Sequence, residues 1–245
     1  MTVDDKLPAS IEAAWGRPPA RGRGPKPGLS LERIVDAAVR LAAAEGIGAV
    51  SMSRVAAELG SSPMSLYRYV AAKDELLALM VDAAMGAPPA AAEHESWRAG
   101  MERWAWAYHD LLRRHPWVLR IPLAAPGVTP NLTAWLEHGL RALADTGLPE
   151  EDKLSTLLLV SGFVRNEATL AADMSGQTEI MPAWARVLRG LTDDERFPAL
   201  RAALASGAFD QDDDPDDEFV WGLQRILDGI AVLVENPERA TRRSR

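Results

Sequence analysis

The sequence predicts an all-α protein with a small N-terminal domain and a larger C-terminal domain, and three observations lead to this prediction. Apolar residues recur at intervals of three and four along most of the chain, which is the period of an amphipathic helix. No long run alternates between apolar and polar residues as a half-buried strand would. The 18 glycines and 17 prolines stand largely between the periodic segments, where they act as breaks. With 245 residues, 47% of them hydrophobic, the chain can form a sizeable core.

The composition excludes several kinds of protein. The chain contains no cysteine, which excludes disulfide bonds, thiolate metal sites and a cysteine nucleophile. The N-terminal segment MTVDDKLPAS is polar and unlike a secretory signal, and the longest apolar stretch, 154–164, is too short to cross a bilayer. We therefore expect a cytoplasmic protein without a membrane partner.

The charge of the chain is unevenly distributed. The net charge is −8, yet residues 1–73 carry 10 Lys and Arg against 7 Asp and Glu, a net charge of +3, and the remaining residues carry −11. A basic front on an acidic body is typical of a nucleic-acid-binding domain joined to a domain of another function. Chance clustering would produce the same pattern, so charge alone does not decide the function.

Residues 1–29 are predicted to form a disordered basic arm. The stretch RPPARGRGPKPG contains enough proline and glycine to interrupt both helix and strand. Its cations, Arg17, Arg21, Arg23 and Lys26, are placed to contact phosphates or to enter a minor groove. A solvated tail is the alternative.

A small helical domain is predicted over residues 30–85. Its helices span about 30–45, 52–59 and 63–69, and a fourth helix opens at Lys73. The last two of the three are short and are joined by a turn that contains Gly60, which is the arrangement of a helix-turn-helix. In such a pair the second helix enters the major groove of DNA. Here Leu66 and Val70 would hold that helix to the core, and its other residues are polar or aromatic.

The run LERIVDAAVRLAAAEGIGAVSMSRVAAELGSSPMSLYRYVAAKDELLALMVD resembles the DNA-binding domain of the TetR family of transcriptional regulators. The resemblance covers about residues 28–85 and implies a three-helix helix-turn-helix domain followed by a larger helical ligand-binding and dimerisation domain. The residues that it places against DNA are Ser51, Ser53, Arg54, Ser62, Pro63, Met64, Ser65, Tyr67, Arg68, Tyr69 and Lys73. We expect Arg68 to read a base, because arginine can donate to both O6 and N7 of guanine, and Tyr67 and Lys73 to contact phosphates.

The larger domain is predicted over residues 86–236, with a tail at 237–245. In the TetR family the helices that correspond to 150–173 and 215–235 build a four-helix bundle between subunits, so the resemblance implies a homodimer through them. The residues expected at that interface are Leu157, Val160, Ser161, Gly162, Leu223, Ile226, Leu227, Ile230 and Leu233. The alternative is that these side chains face only the core of the monomer.

Aromatic and polar side chains of the larger domain are candidates for an effector pocket, because ligand pockets are mostly apolar with a few placed polar groups. The candidates are Trp104, Tyr108, His109, Trp117, Asn131, Trp135, His138, Phe163, Asn166 and Glu167. Packing in the helical core is the alternative for each. The segment Glu95 to Trp97 and the layout after it resemble a tetracycline-repressor-type C-terminal domain, but Pro122 stands where that domain has its magnesium-binding histidine. We therefore expect a small apolar or aromatic effector and no metal or cofactor.

The sequence contains no recognisable catalytic motif. It lacks the HExxH, GxSxG, GxxxxGK[ST] and GxGxxG patterns, and its four histidines show no metal-binding spacing. We therefore predict a regulator, not an enzyme, and most simply a repressor that an effector releases from a palindromic double-stranded DNA operator. An activator with the same fold, and a helical enzyme or ligand carrier that merely contains a helix-turn-helix, are the alternatives.

Overall fold

The computed structural model describes residues 7–16, 28–122, 128–175, 180–209 and 216–236. These residues form eleven α-helices and no strand, which confirms the all-α prediction. The helices are α1 (Ala9–Ala14), α2 (Leu31–Glu45), α3 (Met52–Glu58), α4 (Pro63–Leu66), α5 (Lys73–Met85), α6 (Trp97–Arg114), α7 (Pro130–Ala142), α8 (Glu150–Met174), α9 (Ile180–Leu191), α10 (Pro198–Ala205) and α11 (Asp217–Glu235). None of the helices in these ranges is both long and apolar enough to cross a membrane.

Helices α2, α3 and α4 pack with the first turns of α5 to form the N-terminal head. Ile34, Val55, Leu66 and Leu76, one from each helix, are fully buried in its core. The side chain of Ser30 caps α2 by accepting the backbone N–H of the third helical residue at 3.2 Å, and a second serine caps α3 in the same way. The head is therefore built from local signals that the sequence displays.

Helices α6, α7, α8 and α11 form the core of the C-terminal body, with α6 packed against both α7 and α8. Two glycines allow the close approach of neighbouring helices. A Cβ atom at Gly139 would lie 2.5 Å from Cδ1 of Leu157, and one at Gly222 would lie 2.6 Å from the ring of Phe163. The positions of α7 and α11 on the body therefore depend on the absence of a side chain at these two points.

Part of the predicted disordered arm is helical, so that prediction is wrong for α1. Its apolar residue Ile11 is buried against the head, and Oγ of Ser10 donates to Oε2 of Glu75 at 2.6 Å. Just after α1, Nε1 of Trp15 donates to the carbonyl of Val128 at 2.8 Å. These contacts with distant parts of the chain stabilise a helix too short to form alone. Residues 1–6, the cations at 17–26 and the tail at 237–245 lie outside the described residues.

The sequence pattern leaves residues 174–209 unassigned, and the structure contains α9 and α10 there. Pro182 and Pro198 stand in their first turns, where the backbone N–H has no helical partner to lose. Prolines in this region therefore mark helix starts and not interruptions.

Candidate DNA-binding surface and effector site

The turn between α3 and α4 is closed by a glycine in the left-handed region. Gly60 has φ +60°, its N–H donates to the carbonyl of Ala57 at 3.0 Å, and the N–H of Ser61 donates to the carbonyl of Ala56 at 2.9 Å. This pair of bonds is a Schellman motif, which ends a helix and fixes the direction of the chain that leaves it. The turn therefore determines how α4 is presented relative to α3.

The second helix of the pair is shorter than predicted. α4 ends at Leu66 instead of continuing to Tyr69, and the chain goes on as a turn in which the N–H groups of Tyr69 and Val70 both donate to the carbonyl of Leu66, at 2.8 and 3.0 Å. The side chains of Leu66 and Val70 are fully buried, as the sequence predicts. One helical turn and one reverse turn, anchored at these two points, therefore carry the proposed recognition residues.

The residues predicted to face DNA are all at least partly exposed on the head. Ser53, Arg54, Ser62, Met64, Tyr67, Arg68 and Lys73 are exposed, and Ser51, Pro63, Ser65 and Tyr69 are partly buried. Ser51 also caps α3, because its Oγ accepts the N–H of Arg54 at 3.2 Å. Oγ of Ser62 and Oγ of Ser65 lie 3.0 Å apart, so the two hydroxyls orient each other.

One cation of this surface is paired with a carboxylate of the same domain. Nη2 of Arg54 lies 2.7 Å from Oε1 of Glu45, and the two side chains are 52% and 47% exposed. The contact joins the end of α2 to the start of α3. Glu45 therefore competes with any other anion for the guanidinium of Arg54.

Three of the predicted pocket residues form an aromatic cluster in the body. The ring centroids of Trp104 and Tyr108 lie 5.4 Å apart, and those of Trp104 and Trp135 lie 5.8 Å apart. Nε1 of Trp104 donates to the carbonyl of Trp135 at 3.0 Å, and Nε1 of Trp135 donates to the carbonyls of Met85 and Gly86, at 3.3 and 3.0 Å. Both indole N–H groups are engaged and both tryptophans are buried, so the cluster is part of the core of the body.

A second aromatic group lies where α6 and α8 meet α11. His109 stacks on Phe219 with centroids 4.2 Å apart, and Phe163 stacks on the same ring at 5.6 Å. Burial, and then the nearby Arg113, lower the pKa of His109 below its ordinary value. The sequence analysis places His109 and Phe163 in one pocket with Trp104. In the structure they pack on Phe219 of the last helix, a residue that it did not single out.

The remaining candidates differ in what they contact. Nδ2 of Asn131 donates to Oδ2 and to the backbone carbonyl of Asp82, so its side-chain N–H groups are engaged. Nε1 of Trp117 and both ring nitrogens of His138 are buried and make no hydrogen bond within the described residues. Burial, and then the charge of Arg103, lower the pKa of His138. Asn166 is exposed and Glu167 is partly buried.

Sequence reasoning missed the polar contacts that organise this domain. Glu95 pairs with Arg103, whose hydrogen bonds lower the pKa of Glu95 and keep the carboxylate ionised beside His138. Nη1 of Arg165 donates to Oη of Tyr108 at 3.3 Å across α6 and α8. Each pair joins residues on different turns or helices, and no short motif in the sequence marks them.

Comparisons with known proteins agree on one family. Residues 34–80 match the family described as bacterial regulatory proteins, tetR family, and residues 88–234 match the tetracyclin repressor-like C-terminal domain. The HTH-type transcriptional repressor DrrR1 of Streptomyces coeruleorubidus is 39% identical over 92% of this chain and 86% of its own length. An HTH-type transcriptional regulator of Saccharopolyspora erythraea is 32% identical over 95% of this chain and 98% of its own length.

Solved structures give the same result. The structure of apo ActR from Streptomyces coelicolor has a TM-score of 0.75 and 27% identity, and the match covers 86% of this chain and 99% of that chain. The complex of ActR with actinorhodin has a TM-score of 0.72 and the same identity, over 84% of this chain and 98% of that chain. Together with the two domain matches, these relatives show that the chain is a DNA-binding transcriptional regulator of the TetR family, not an enzyme.

Proposed function

We propose that this regulator is a repressor that binds a palindromic operator as a homodimer and leaves it when a small apolar or aromatic effector binds the body. The observation that carries the proposal is the exposed polar surface on α3 and α4, whose anchoring residues are fully buried. Two relatives support the finer points. DrrR1 is named as a repressor, and ActR has been solved with actinorhodin bound. Binding to chromosomal DNA would place the protein in the cytoplasm.

On the head, each proposed contact follows from the chemistry of the side chain. Arg68 is exposed on the turn after α4 and would donate to the O6 and N7 atoms of a guanine. Tyr67 and Lys73 would donate to phosphates, which position the head without reading the sequence. The serines at 51, 53, 62 and 65 would add phosphate contacts through hydroxyl or backbone N–H groups.

A titration of the purified protein with DNA fragments upstream of its own and adjacent genes, at two salt concentrations, tests this proposal. Selective binding that weakens with salt is expected, because phosphate contacts release counterions. Arg68→Ala should cost about 1–3 kcal/mol on the preferred fragment. Arg141→Ala, which removes the same charge from an exposed position on α7, is the matched control and should bind like the wild type. A lack of selective binding at low salt would contradict the proposal and favour a ligand carrier.

The homodimer is proposed through α8 and α11, but not through all of the side chains first expected there. Five of the nine residues predicted at the interface, Leu157, Val160, Leu223, Leu227 and Ile230, are buried in the monomer. Apolar side chains exposed on the same two helices support an interface on the outer sides of these helices. They are Leu154, Leu158, Leu159, Val220, Trp221 and Val232. A twofold dimer would place the heads on half-sites one helical turn of DNA, about 34–36 Å, apart.

Sedimentation of a variant with a charge introduced at the proposed interface tests the dimer. Leu158→Glu places a carboxylate on the proposed interface, at a side chain that is 74% exposed in the monomer. It should therefore fold normally and sediment as a monomer. Met64→Glu, on the head and also 74% exposed, is the matched control and should remain a dimer. If both variants sediment as the wild type does, the interface lies elsewhere.

The effector is proposed to contact the cluster of Trp104, Tyr108 and Trp135. The rings of this cluster are tilted or edge-on to one another, and they suit an aromatic ligand because ring contacts add to the free energy of burying its surface. Actinorhodin, the compound in the ActR complex, is the first probe. Quenching of tryptophan fluorescence, together with release of the operator fragment at the same concentration, is the expected result. Binding that leaves the operator affinity unchanged would exclude this compound as the effector.

A further inference from the structure

We propose that Asp82 is a positioning residue for regulation, because its buried carboxylate joins α5, whose start belongs to the head, to the first turn of α7, which carries Trp135 of the aromatic cluster. The inference rests on the proposed function, in which a change in the body alters the fit of the head to DNA. It assigns that coupling to one polar joint.

Asp82 makes an unusually complete set of contacts for an acidic side chain in the middle of a protein. It is only 8% exposed, on the penultimate turn of α5. Its Oδ1 accepts the backbone N–H groups of Asn131 at 2.8 Å and Leu132 at 3.2 Å. Nδ2 of Asn131 donates to Oδ2 of Asp82 at 3.1 Å and to its backbone carbonyl at 3.0 Å. Side chain and backbone of α5 are therefore both held by α7.

Helix α7 depends on this contact for its first turn. Its N-cap position is Thr129, which is buried and makes no capping hydrogen bond with its side chain. Pro130, the first helical residue, has no N–H to satisfy. The next two N–H groups are the ones that Asp82 accepts, so a residue of α5 performs the capping role that α7 lacks in its own sequence.

A second contact joins α5 and α7 nearer the C-terminus of each helix and prevents them from rotating apart. Nε1 of Trp135 donates to the carbonyls of Met85 and Gly86, which are the last residue of α5 and its C-cap. The carbonyl of Trp135 in turn accepts Nε1 of Trp104. A ligand that displaces the rings of this cluster therefore moves α7, and α7 is bonded to α5 at two places about one helical turn apart.

The other end of α5 belongs to the head. Leu76 and Met80 are fully buried there, and Oε2 of Glu75 accepts the N–H of Ala71, in the loop that leaves the recognition turn. A displacement at Asp82 would therefore reach the proposed recognition residues through one continuous helix. A carboxylate that accepts N–H groups away from water strongly favours one arrangement, and it gives the joint a defined position that apolar contacts alone would not.

Because coupling is reciprocal, DNA can serve as the probe while the effector is unidentified. The experiment measures amide hydrogen exchange in the first turn of α7, residues 131–134, for the full-length protein with and without its operator fragment. Three proteins are compared: the wild type, Asp82→Asn, and Asp145→Asn, which changes an exposed aspartate of the body as a matched control. Asn131→Ala, which removes two of the four bonds and leaves Asp82 capping α7, is a fourth protein in case Asp82→Asn does not fold.

In the wild type and in the control, DNA should slow exchange of these amides by about fivefold or more, the lower range of typical allosteric coupling. In Asp82→Asn one side-chain oxygen can still accept the two backbone N–H groups, but the new NH2 group opposes Nδ2 of Asn131, so the DNA-dependent change should be lost although the head still binds. Asn131→Ala should reduce the DNA-dependent change in exchange. A residue that only caps α7 would raise the basal rate but leave the DNA-dependent ratio as in the wild type, and this would overturn the inference.

The outcomes separate the inference from the function on which it rests. If the wild type binds the operator without any change of amide exchange in α7, the coupling role of the Asp82 contact is refuted. The proposed function as a regulator still stands. Failure of the wild type to bind any fragment selectively would overturn the proposed function and the inference together.

Discussion

Replacing Glu45 by glutamine is expected to strengthen operator binding, although Glu45 is not among the residues proposed to contact DNA. Its carboxylate lies 2.7 Å from Nη2 of Arg54, and Arg54 belongs to the proposed DNA surface. On binding, a phosphate would compete with this carboxylate for Arg54. Glutamine weakens the competing contact and removes a negative charge beside the surface that approaches the DNA.

The exposure of the pair sets the size of the effect. Because the side chains are 52% and 47% exposed, the ion pair belongs to the weak class, which contributes about 0.2–1 kcal/mol. That range corresponds to about 1.4- to 5-fold in affinity for each head. A dimer that binds with both heads releases two pairs, so the expected gain is about 2- to 30-fold at low salt. The gain should shrink as the Debye length falls to about 8 Å at physiological ionic strength.

Fluorescence anisotropy of a labelled operator fragment, measured at two salt concentrations, provides the assay. Glu45→Gln is compared with Glu58→Gln, which removes the same charge from an exposed position at the end of α3. The double variant Glu45→Gln/Arg54→Ala completes a double-mutant cycle. If Glu45→Gln raises the operator affinity equally with and without Arg54, the charge of Glu45 acts through the general electrostatic field of the head and not through the ion pair. No gain in either background would refute the exchange of partners.

Four further outcomes follow from single sites. Gly60→Ala should lower the free energy of unfolding by about 1–2 kcal/mol, measured by urea denaturation, because alanine is strained at φ +60°. Ile11→Ala should lower it by about 2 kcal/mol, the small end of the range for a buried isoleucine, whereas an undocked α1 would give no change. Lys73→Gln should reduce the slope of log affinity against log salt by about 0.9 for each head, and an unchanged slope would remove Lys73 from the phosphate contacts. The pKa of His109 is lowered below 6.5 by burial and by Arg113, so the unfolded state binds the proton more readily. Stability should therefore be complete above about pH 6.5 and fall below it, and a fall that is as steep in His109→Phe as in the wild type would contradict this assignment.

The head could be predicted from the sequence because its determinants are local. Ser30 and Ser51 cap helices whose N–H groups lie three residues away, and Gly60 closes a turn that spans six residues. Such signals act within one or two helical turns, so they can be read without knowledge of the rest of the chain. The recognition turn was also predictable, apart from its length, because the two anchors at Leu66 and Val70 are separated by one helical turn.

The dimer surface could not be predicted at the level of residues, because α8 carries apolar side chains on more than one side. Leu157 is buried in the body, whereas its neighbour Leu158 is 74% exposed. Successive residues of a helix point about 100° apart, so a choice between them requires the position of α8 on the body. That position depends on Gly139 and Gly222, which allow α7 and α11 to approach closely, and both act across helices.

The partner of Asn131 could not be predicted for a related reason. An amide beside aromatic residues suits a ligand site, yet its partner is Asp82, 49 residues earlier in the chain. Buried polar groups are nearly always satisfied, and which group satisfies them is decided by the tertiary fold. α1 is the opposite case, since polar partners at Glu75 and Val128 stabilise a helix in a segment whose composition predicts none.

Helix α5 collects these non-local polar contacts at both of its ends. At its start, Glu75 accepts Oγ of Ser10 and the N–H of Ala71, and near its end Asp82 and the last carbonyls accept donors from α7. Its middle is held by apolar packing alone, through Leu76, Leu79 and Met80. Apolar surfaces tolerate small displacements, whereas hydrogen bonds in a buried site favour discrete arrangements. A helix with polar contacts at each end can therefore occupy a few defined positions relative to the two domains, which is what a regulator needs if events in the body are to alter the presentation of the head.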